Sequence, residues 1–196
     1  VLAHHQRQRI LAGAAQAIAA RGYRQATVAD IVKSAAIARA RFYENFSSKE
    51  DCFFALYDGA LASALEVVST ACGDKQGGFP ERLSAGVQAL VAYLESDRDL
   101  ARACIVEGPA VGPAIGGRFE SLIAGFAELL RAARADAGVA ELADTVEETV
   151  VGGLYWLLYY ALLEGDGDSL EPMVQQLIEF SLIPFIGTDA ARSAIP

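Results

Sequence analysis

Hydrophobic positions recur at three- and four-residue steps through most of the chain, the period of an α-helix with one buried face. Residues 4–20 follow it with Ile10, Leu11, Ala14, Ala17 and Ile18, and Gly22 ends the run, because glycine readily takes the left-handed backbone that follows a helix. Two short segments, 28–35 and 39–46, are separated only by Ala36-Ile37-Ala38. Helices joined so tightly cannot lie antiparallel, so they cross steeply, as in a helix-turn-helix. In the second segment Phe42 and Phe46 are four residues apart and point inward together. Arg39, Arg41, Glu44 and Asn45 are left around the exposed arc. A short helix with an aromatic anchor and an arginine-bearing outer face suits the major groove of DNA.

Beyond this element the periodicity continues. Ser47 and Glu50 have the S-x-x-E spacing of a capping box and open a fourth helix, in which Phe53, Leu56, Tyr57, Ala60, Leu61, Ala64, Leu65 and Val68 run without a breaker to about Ala71. Residues 72–78, with three glycines and Lys75, read as a loop. Pro80 fits the first turn of a fifth helix bearing Leu83, Val87, Leu90, Val91 and Leu94. A short sixth helix is expected over 97–107, a Gly/Pro break over 108–113, and a seventh helix from Arg118 to Gly138. The last two helices are predicted over 141–164 and 169–186, joined by Gly165-Asp166-Gly167-Asp168. With no strand pattern, repeat or low-complexity tract, the chain is predicted to be all-α with about nine helices.

Arg9-Ile10-Leu11, Arg21-Gly22-Tyr23, Thr27-Val28, Asp30-Ile31 and Phe42-Tyr43-Glu44-Asn45-Phe46-Ser47-Ser48-Lys49-Glu50, in this order and spacing, resemble the N-terminal domain of the TetR family of repressors. The resemblance covers about residues 7–57, and the remainder is similar to the family in pattern only, as a helical ligand-binding and dimerisation domain. It implies a helix-turn-helix DNA-binding domain over 1–50 and a ligand-binding and dimerisation domain over 51–196. Two positions depart from the family. Ala36 stands in the turn where glycine is usual, and Ala38 where a serine-like N-cap is usual. A missing capping side chain costs roughly 1 kcal/mol.

Charge sharpens the division. The net charge is −9, which taken alone argues against nucleic acid. Val1–Tyr57, however, holds eight Lys/Arg against four acids, and the rest of the chain eight against twenty-one. This is a basic docking end on an acidic body. With 53% hydrophobic residues and a mean hydropathy of +0.28, the chain has apolar surface to hide. Its longest nearly uninterrupted apolar run, 150–163, falls short of the ~18–20 residues that cross a bilayer, so a subunit interface is expected and a membrane is not. Cys52, Cys72 and Cys104 are odd in number and lack metal-ligand spacing, which predicts free thiols in a cytoplasmic protein.

The candidate chemistry follows from these parts. Arginine bonds guanine in a bidentate fashion, so Arg39 and Arg41 are the candidate base readers. By resemblance, Thr27, Tyr43 and Lys49 contact phosphates, and Asn45 suits either role. Glu44 is repelled by phosphates unless it accepts from a cytosine amino group. In the body, Phe126, Trp156 and Tyr159 are candidate effector contacts, with Glu107, beside the Gly/Pro break, as the polar group and Arg102 and Cys104 near it. An apolar cleft with few polar groups is the usual small-ligand site, and one carboxylate in it favours neutral or cationic molecules. Gly152-Gly153, inside an apolar helix, permits a close approach, and the resemblance implies that the last two helices pair with their copies across a two-fold axis.

No catalytic motif is present: there is no G-x-S-x-G, H-E-x-x-H or phosphate-binding glycine loop, and His4-His5 cannot converge on one ion from adjacent helical positions. No cofactor or metal is called for. The expectation is a homodimeric repressor on a palindromic operator in double-stranded DNA, released by a small hydrophobic effector. The alternative is a helical ligand-binding or partner protein that has lost DNA binding, for which Ala36, Ala38 and Glu44 speak.

Overall fold

The structure, a computed structural model, describes residues 2–74, 76–136, 138–139, 142–143, 145–165 and 169–194. Lys75, Glu141 and residues 166–168 of the expected loops and helix starts lie outside them. The described residues form helices and turns without a strand: α1 (Leu2–Arg21), α2 (Val28–Ser34), α3 (Arg39–Tyr43), α4 (Lys49–Asp74), α5 (Phe79–Ser96), α6 (Arg98–Ala101), α7 (Gly116–Asp136), α8 (Thr145–Glu164), α9 (Val174–Ile186) and α10 (Thr188–Ser193). The expected sixth helix is compound: α6 runs directly into a π-helix at Arg102–Val106, and two 3-10 turns, Gly108–Val111 and Pro113–Ile115, fill the Gly/Pro break. The last helix, α10, was not anticipated; Gly187, at φ 81, breaks the chain between α9 and α10.

The chain divides into two compact units, residues 1–62 with 97–118 and residues 63–96 with 119–196. In the first, α1 buries Ile10, Ala14 and Ile18 completely. Gly13 lets α2 come close, since a Cβ there would lie 2.6 Å from the Ala35 nitrogen. Phe42 and Phe46 are buried as their spacing predicts, with ring centroids 5.9 Å apart, and the Arg7 guanidinium lies 4.4 Å from the Phe46 ring. The cap of α4 sits one residue later than expected. Ser48 Oγ accepts from the Asp51 N–H at 3.0 Å, and the Asp51 carboxylate accepts from the Ser47 N–H at 2.8 Å.

In the second unit α9 packs against α5, α8 and α10, burying Leu177, Ile178 and Leu182. The Phe79 and Phe185 rings meet edge to face at 5.2 Å. Between α7 and α8, Arg134 Nε donates to Glu147 Oε1 at 2.9 Å, with both side chains almost wholly buried. One helix among the described residues, α4, is long and apolar enough to cross a membrane by length and composition. The expected apolar run at 150–163 is not that helix. The first turns of α4 place Cys52, Phe53, Leu56 and Tyr57 in the core.

Candidate nucleic-acid interface

The turn before α3 is under strain and is braced. Ala36 sits at φ 50, the one non-glycine residue with positive φ among the described residues. That backbone costs an L-residue roughly 1–2 kcal/mol. Arg9 Nη2 donates to the carbonyls of Ala35 and Ala36, each at 2.9 Å, which closes the last turn of α2 from outside. Ala38 then begins α3 with no side-chain cap, as its identity predicts.

On α3 the buried Phe42 fixes which face looks out. Arg39, Arg41 and Glu44 are exposed, and Tyr43 is 48% exposed. Arg39 lies 5.7 Å from the Tyr43 ring centroid, and Nη2 donates to the phenol oxygen at 3.4 Å. Arg41 Nη1 donates to Glu44 Oε2 at 2.7 Å. A surface pair of this kind contributes about 0–1 kcal/mol, so a stronger acceptor can take the arginine from it. Asn45 Nδ2 donates to the Arg41 carbonyl at 2.9 Å, which ties its amide to the helix.

Two expected phosphate contacts have internal partners. Thr27 caps α2 in a reciprocal box: its Oγ1 accepts from the Asp30 N–H, and its own N–H and hydroxyl donate to the Asp30 carboxylate. Those bonds, the hydroxyl's first, hold the Asp30 carboxyl below its ordinary range. Lys49 Nζ donates to the carbonyls of Tyr23 at 2.6 Å and Ala26 at 2.9 Å, leaving one of its three donors. Burial pulls its pKa below the ordinary lysine value.

The expected effector residues fall in different units: Arg102, Cys104 and Glu107 in the first, Phe126, Trp156 and Tyr159 in the second. The Cys104 thiol is buried, and burial pushes it up to about 12, so it behaves as a small apolar group. Glu107 has a partner that the sequence did not suggest: its Oε2 accepts from the Tyr23 N–H at 2.8 Å. Phe126 is half-buried on α7. Trp156 is 56% exposed and stacks on Tyr159, with centroids 5.6 Å apart. Tyr160, Leu163 and, on α9, Ile183 are exposed as well.

The two glycines of α8 differ. A Cβ on Gly152 would meet nothing within 4 Å among the described residues, whereas one on Gly153 would lie 2.3 Å from the Phe180 ring. Gly153 therefore serves close packing of α8 on α9 within one chain. Among the described residues no group of three His, Cys, Asp or Glu side chains is placed to hold a metal ion.

A helix-turn-helix whose second helix presents two arginines and a tyrosine on a basic end is the DNA-binding element of a transcriptional regulator. The comparisons with known proteins agree: residues 10–56 match the bacterial regulatory proteins of the tetR family. Over this segment, about a quarter of its length, the chain is similar to the N-terminal domain of the TetR family of transcriptional regulators. It is 29% identical over 185 residues, 91% of this chain and 93% of the relative, to the uncharacterized HTH-type transcriptional regulator YdgC of Bacillus subtilis (strain 168). Among solved structures it resembles the fatty acid degradation regulator FadR from Bacillus halodurans, with a TM-score of 0.78 at 22% identity over 89% of this chain and 97% of the other. It also resembles FadR from Bacillus subtilis in complex with stearoyl-CoA, with a TM-score of 0.76 at 19% identity over 89% and 96%. At such identities the likeness is one of fold.

Proposed function

We propose that this chain is a homodimeric repressor of the cytoplasm that reads a palindromic operator through residues 1–50 and leaves it when a hydrophobic effector binds to residues 51–196. The observation that carries the DNA half is the outer face of α3, where Arg39, Arg41 and Tyr43 are exposed around a buried Phe42. Arg41 exchanges Glu44 for a guanine edge, Arg39 reads beside it, and Tyr43, with the remaining donor of Lys49, meets the backbone. Asn45 supports Arg41 through its carbonyl, and Thr27 acts mainly by capping α2. Two copies must present their α3 helices about one helical turn apart, ~34–36 Å, or a multiple of it.

The dimer half rests on α8. Gly152, Trp156, Tyr160 and Leu163 follow one another at four- and three-residue steps, on one face. Three of these are large exposed apolar side chains, and the glycine leaves room for another backbone. A second copy of α8 and α9 is the occupant that such a self-complementary stripe fits.

For the effector, the charges of the second unit favour neutral or cationic molecules. Each of its described arginines already has a carboxylate: Arg82 with Asp136, Arg131 with Glu128, Arg134 with Glu147 and Arg192 with Glu179. A polyanion would have to displace one of these. The neighbour complexed with stearoyl-CoA makes long-chain acyl thioesters the competing class. The alternative, a helical partner protein without DNA binding, is favoured by the Arg41–Glu44 pair and the uncapped start of α3.

Fluorescence anisotropy with the region upstream of the chain's own gene decides between the two. A repressor prefers that duplex to random sequence, and Arg41→Ala narrows the preference. Equal affinity for both duplexes overturns the proposal. Lipophilic cations, neutral aromatics and stearoyl-CoA, added in turn, then identify which class releases the DNA.

A further inference from the structure

The turn between α1 and α2 is held by two oppositely charged side chains from distant parts of the sequence, both in the first unit. Glu107, just after the π-helix, accepts the Tyr23 N–H at 2.8 Å. Lys49 donates to the carbonyl of the same residue at 2.6 Å, and its ammonium stands 4.2 Å from the Tyr23 ring centroid. The ring edge packs on Phe53 at 5.1 Å. Tyr23 thus has an anion on its N–H and a cation on its carbonyl and ring. Hydrogen bonds to ionised groups are about twice as strong as neutral ones, and bonds linked in series polarise one another.

The backbone before Tyr23 is shaped for this contact. Gly22 takes φ +79, and a Cβ there would lie 3.2 Å from Glu107 Oε2. The carboxylate therefore occupies the side of the turn that a side chain would need. Residues 97–118, which carry Glu107, are tied down a second time. Arg118 donates from Nε and Nη2 to the two carboxylate oxygens of Asp58 at 2.8 and 3.0 Å, with its guanidinium 3.9 Å from the Phe54 ring centroid. A π-helix is a rare conformation frequently found at functional sites. Here it ends at the residue before Glu107.

We propose that Glu107 is a positioning residue for DNA binding: with Lys49 it clamps the Tyr23 backbone and so fixes where α2, and α3 after it, leave α1. Lys49 extends the clamp to the Ala26 carbonyl, one residue before the cap of α2, so loosening it at Tyr23 loosens the entry to the helix-turn-helix. Glu107 is thereby committed to the DNA-binding end rather than to an effector. The proposal rests on the reading of α3 as the DNA-contacting helix.

The test uses the full chain with Glu107→Ala, Glu107→Gln and Glu107→Asp. Amide exchange at Tyr23, anisotropy against the upstream duplex over a range of salt, and thermal unfolding are measured on each. In Glu107→Ala the Tyr23 amide exchanges about tenfold faster or more, as expected when a bond to a charged acceptor is lost. DNA affinity falls about fivefold, the range for a residue that touches no ligand. The salt slope stays unchanged, because no phosphate contact is removed. Gln, whose amide oxygen accepts the same bond, recovers most of both effects. Asp, one methylene shorter, falls between Gln and Ala and keeps the comparison open should Ala fail to fold.

Unchanged Tyr23 exchange in both Ala and Asp overturns the clamp. So does faster exchange with wild-type DNA affinity, or an affinity loss that only tracks the unfolded fraction. If the wild-type chain shows no preference for the upstream duplex, the DNA-binding reading falls instead, and Tyr23 exchange still measures the clamp by itself.

Discussion

Both α3 and α8 leave aromatic rings in solvent, and their neighbours differ. Tyr43 stands among Arg39, Arg41 and Glu44, whereas Trp156 meets Tyr160 edge to face and shares its helical face with Leu163. A single ring among cations offers a polyanion stacking and charge, but gives a protein surface little to bury. A continuous apolar stripe does the reverse. The arginines divide in the same way. Those of α3 are exposed and weakly held, while Arg134 is sealed against Glu147 between α7 and α8. Surface that must exchange partners keeps its charges in water, and surface that must stay assembled buries them.

The largest expected effect tests the sealed charges. Glu147 Oε1 takes Arg134 Nε, and Glu147 Oε2 is buried with no hydrogen-bond partner among the described residues. Removing one member of a buried pair leaves the other uncompensated, typically at a cost of about 3–5 kcal/mol. Glu147→Ala should therefore lower stability by that amount in denaturant titration. The equivalent change on α3, Glu44→Ala, should stay within about 1 kcal/mol. Equal losses at the two sites would remove the distinction between them.

Next comes the apolar stripe. Trp156→Glu places a charge at the centre of the proposed contact, where a single aromatic anchor is worth about 2 kcal/mol or more. The dimer dissociation constant should rise by roughly thirtyfold or more, read by light scattering over a concentration series. Gly152→Leu should weaken the dimer with little loss of subunit stability. Gly153→Leu should destabilise the subunit first, because its side chain collides with Phe180. An unaltered dimer in Trp156→Glu would place the interface elsewhere.

A smaller effect is expected on α3. Arg41→Ala should cost about 1–3 kcal/mol of discrimination at one base pair, the range for a bidentate contact. Lys49→Ala should behave differently from a simple phosphate contact, because two of its donors hold Tyr23 and Ala26. Loss of thermal stability alongside DNA affinity is the expected pattern.

The helix-turn-helix was legible because its cues are local: Phe42 and Phe46 four residues apart, a three-residue connection and Gly22 at the end of α1. Ser47 and Ser48 precede Glu50 and Asp51, so two overlapping boxes were available, and only the structure selects Ser48 with Asp51. The role of Glu107 was not legible. Its partner is a backbone N–H 84 residues away, and a peptide group leaves no mark in the pattern of side chains. The direction of Trp156 was hidden for another reason. Helix α8 is apolar on nearly every side, so periodicity does not separate the face toward its own subunit from one toward a partner.

The smallest effect belongs to Ala36, where the strain of the turn is set against its brace. Glycine at φ 50 removes roughly 1–2 kcal/mol of steric cost, and its extra freedom in the unfolded chain returns about 0.5–1 kcal/mol of that. Ala36→Gly should thus stabilise the protein by about 0.5 kcal/mol, a rise in Tm of about 1–2 °C for a chain of this length. Arg9 supplies the second arm of a cycle, because both of its hydrogen bonds end on this turn. If the brace holds alanine in the left-handed conformation, Arg9→Ala costs more stability beside Ala36 than beside glycine, by about 0.5 kcal/mol or more for coupled neighbours. Strictly additive losses would mean that Arg9 only caps α2 and that α1 and α2 hold the turn by their own packing around Gly13.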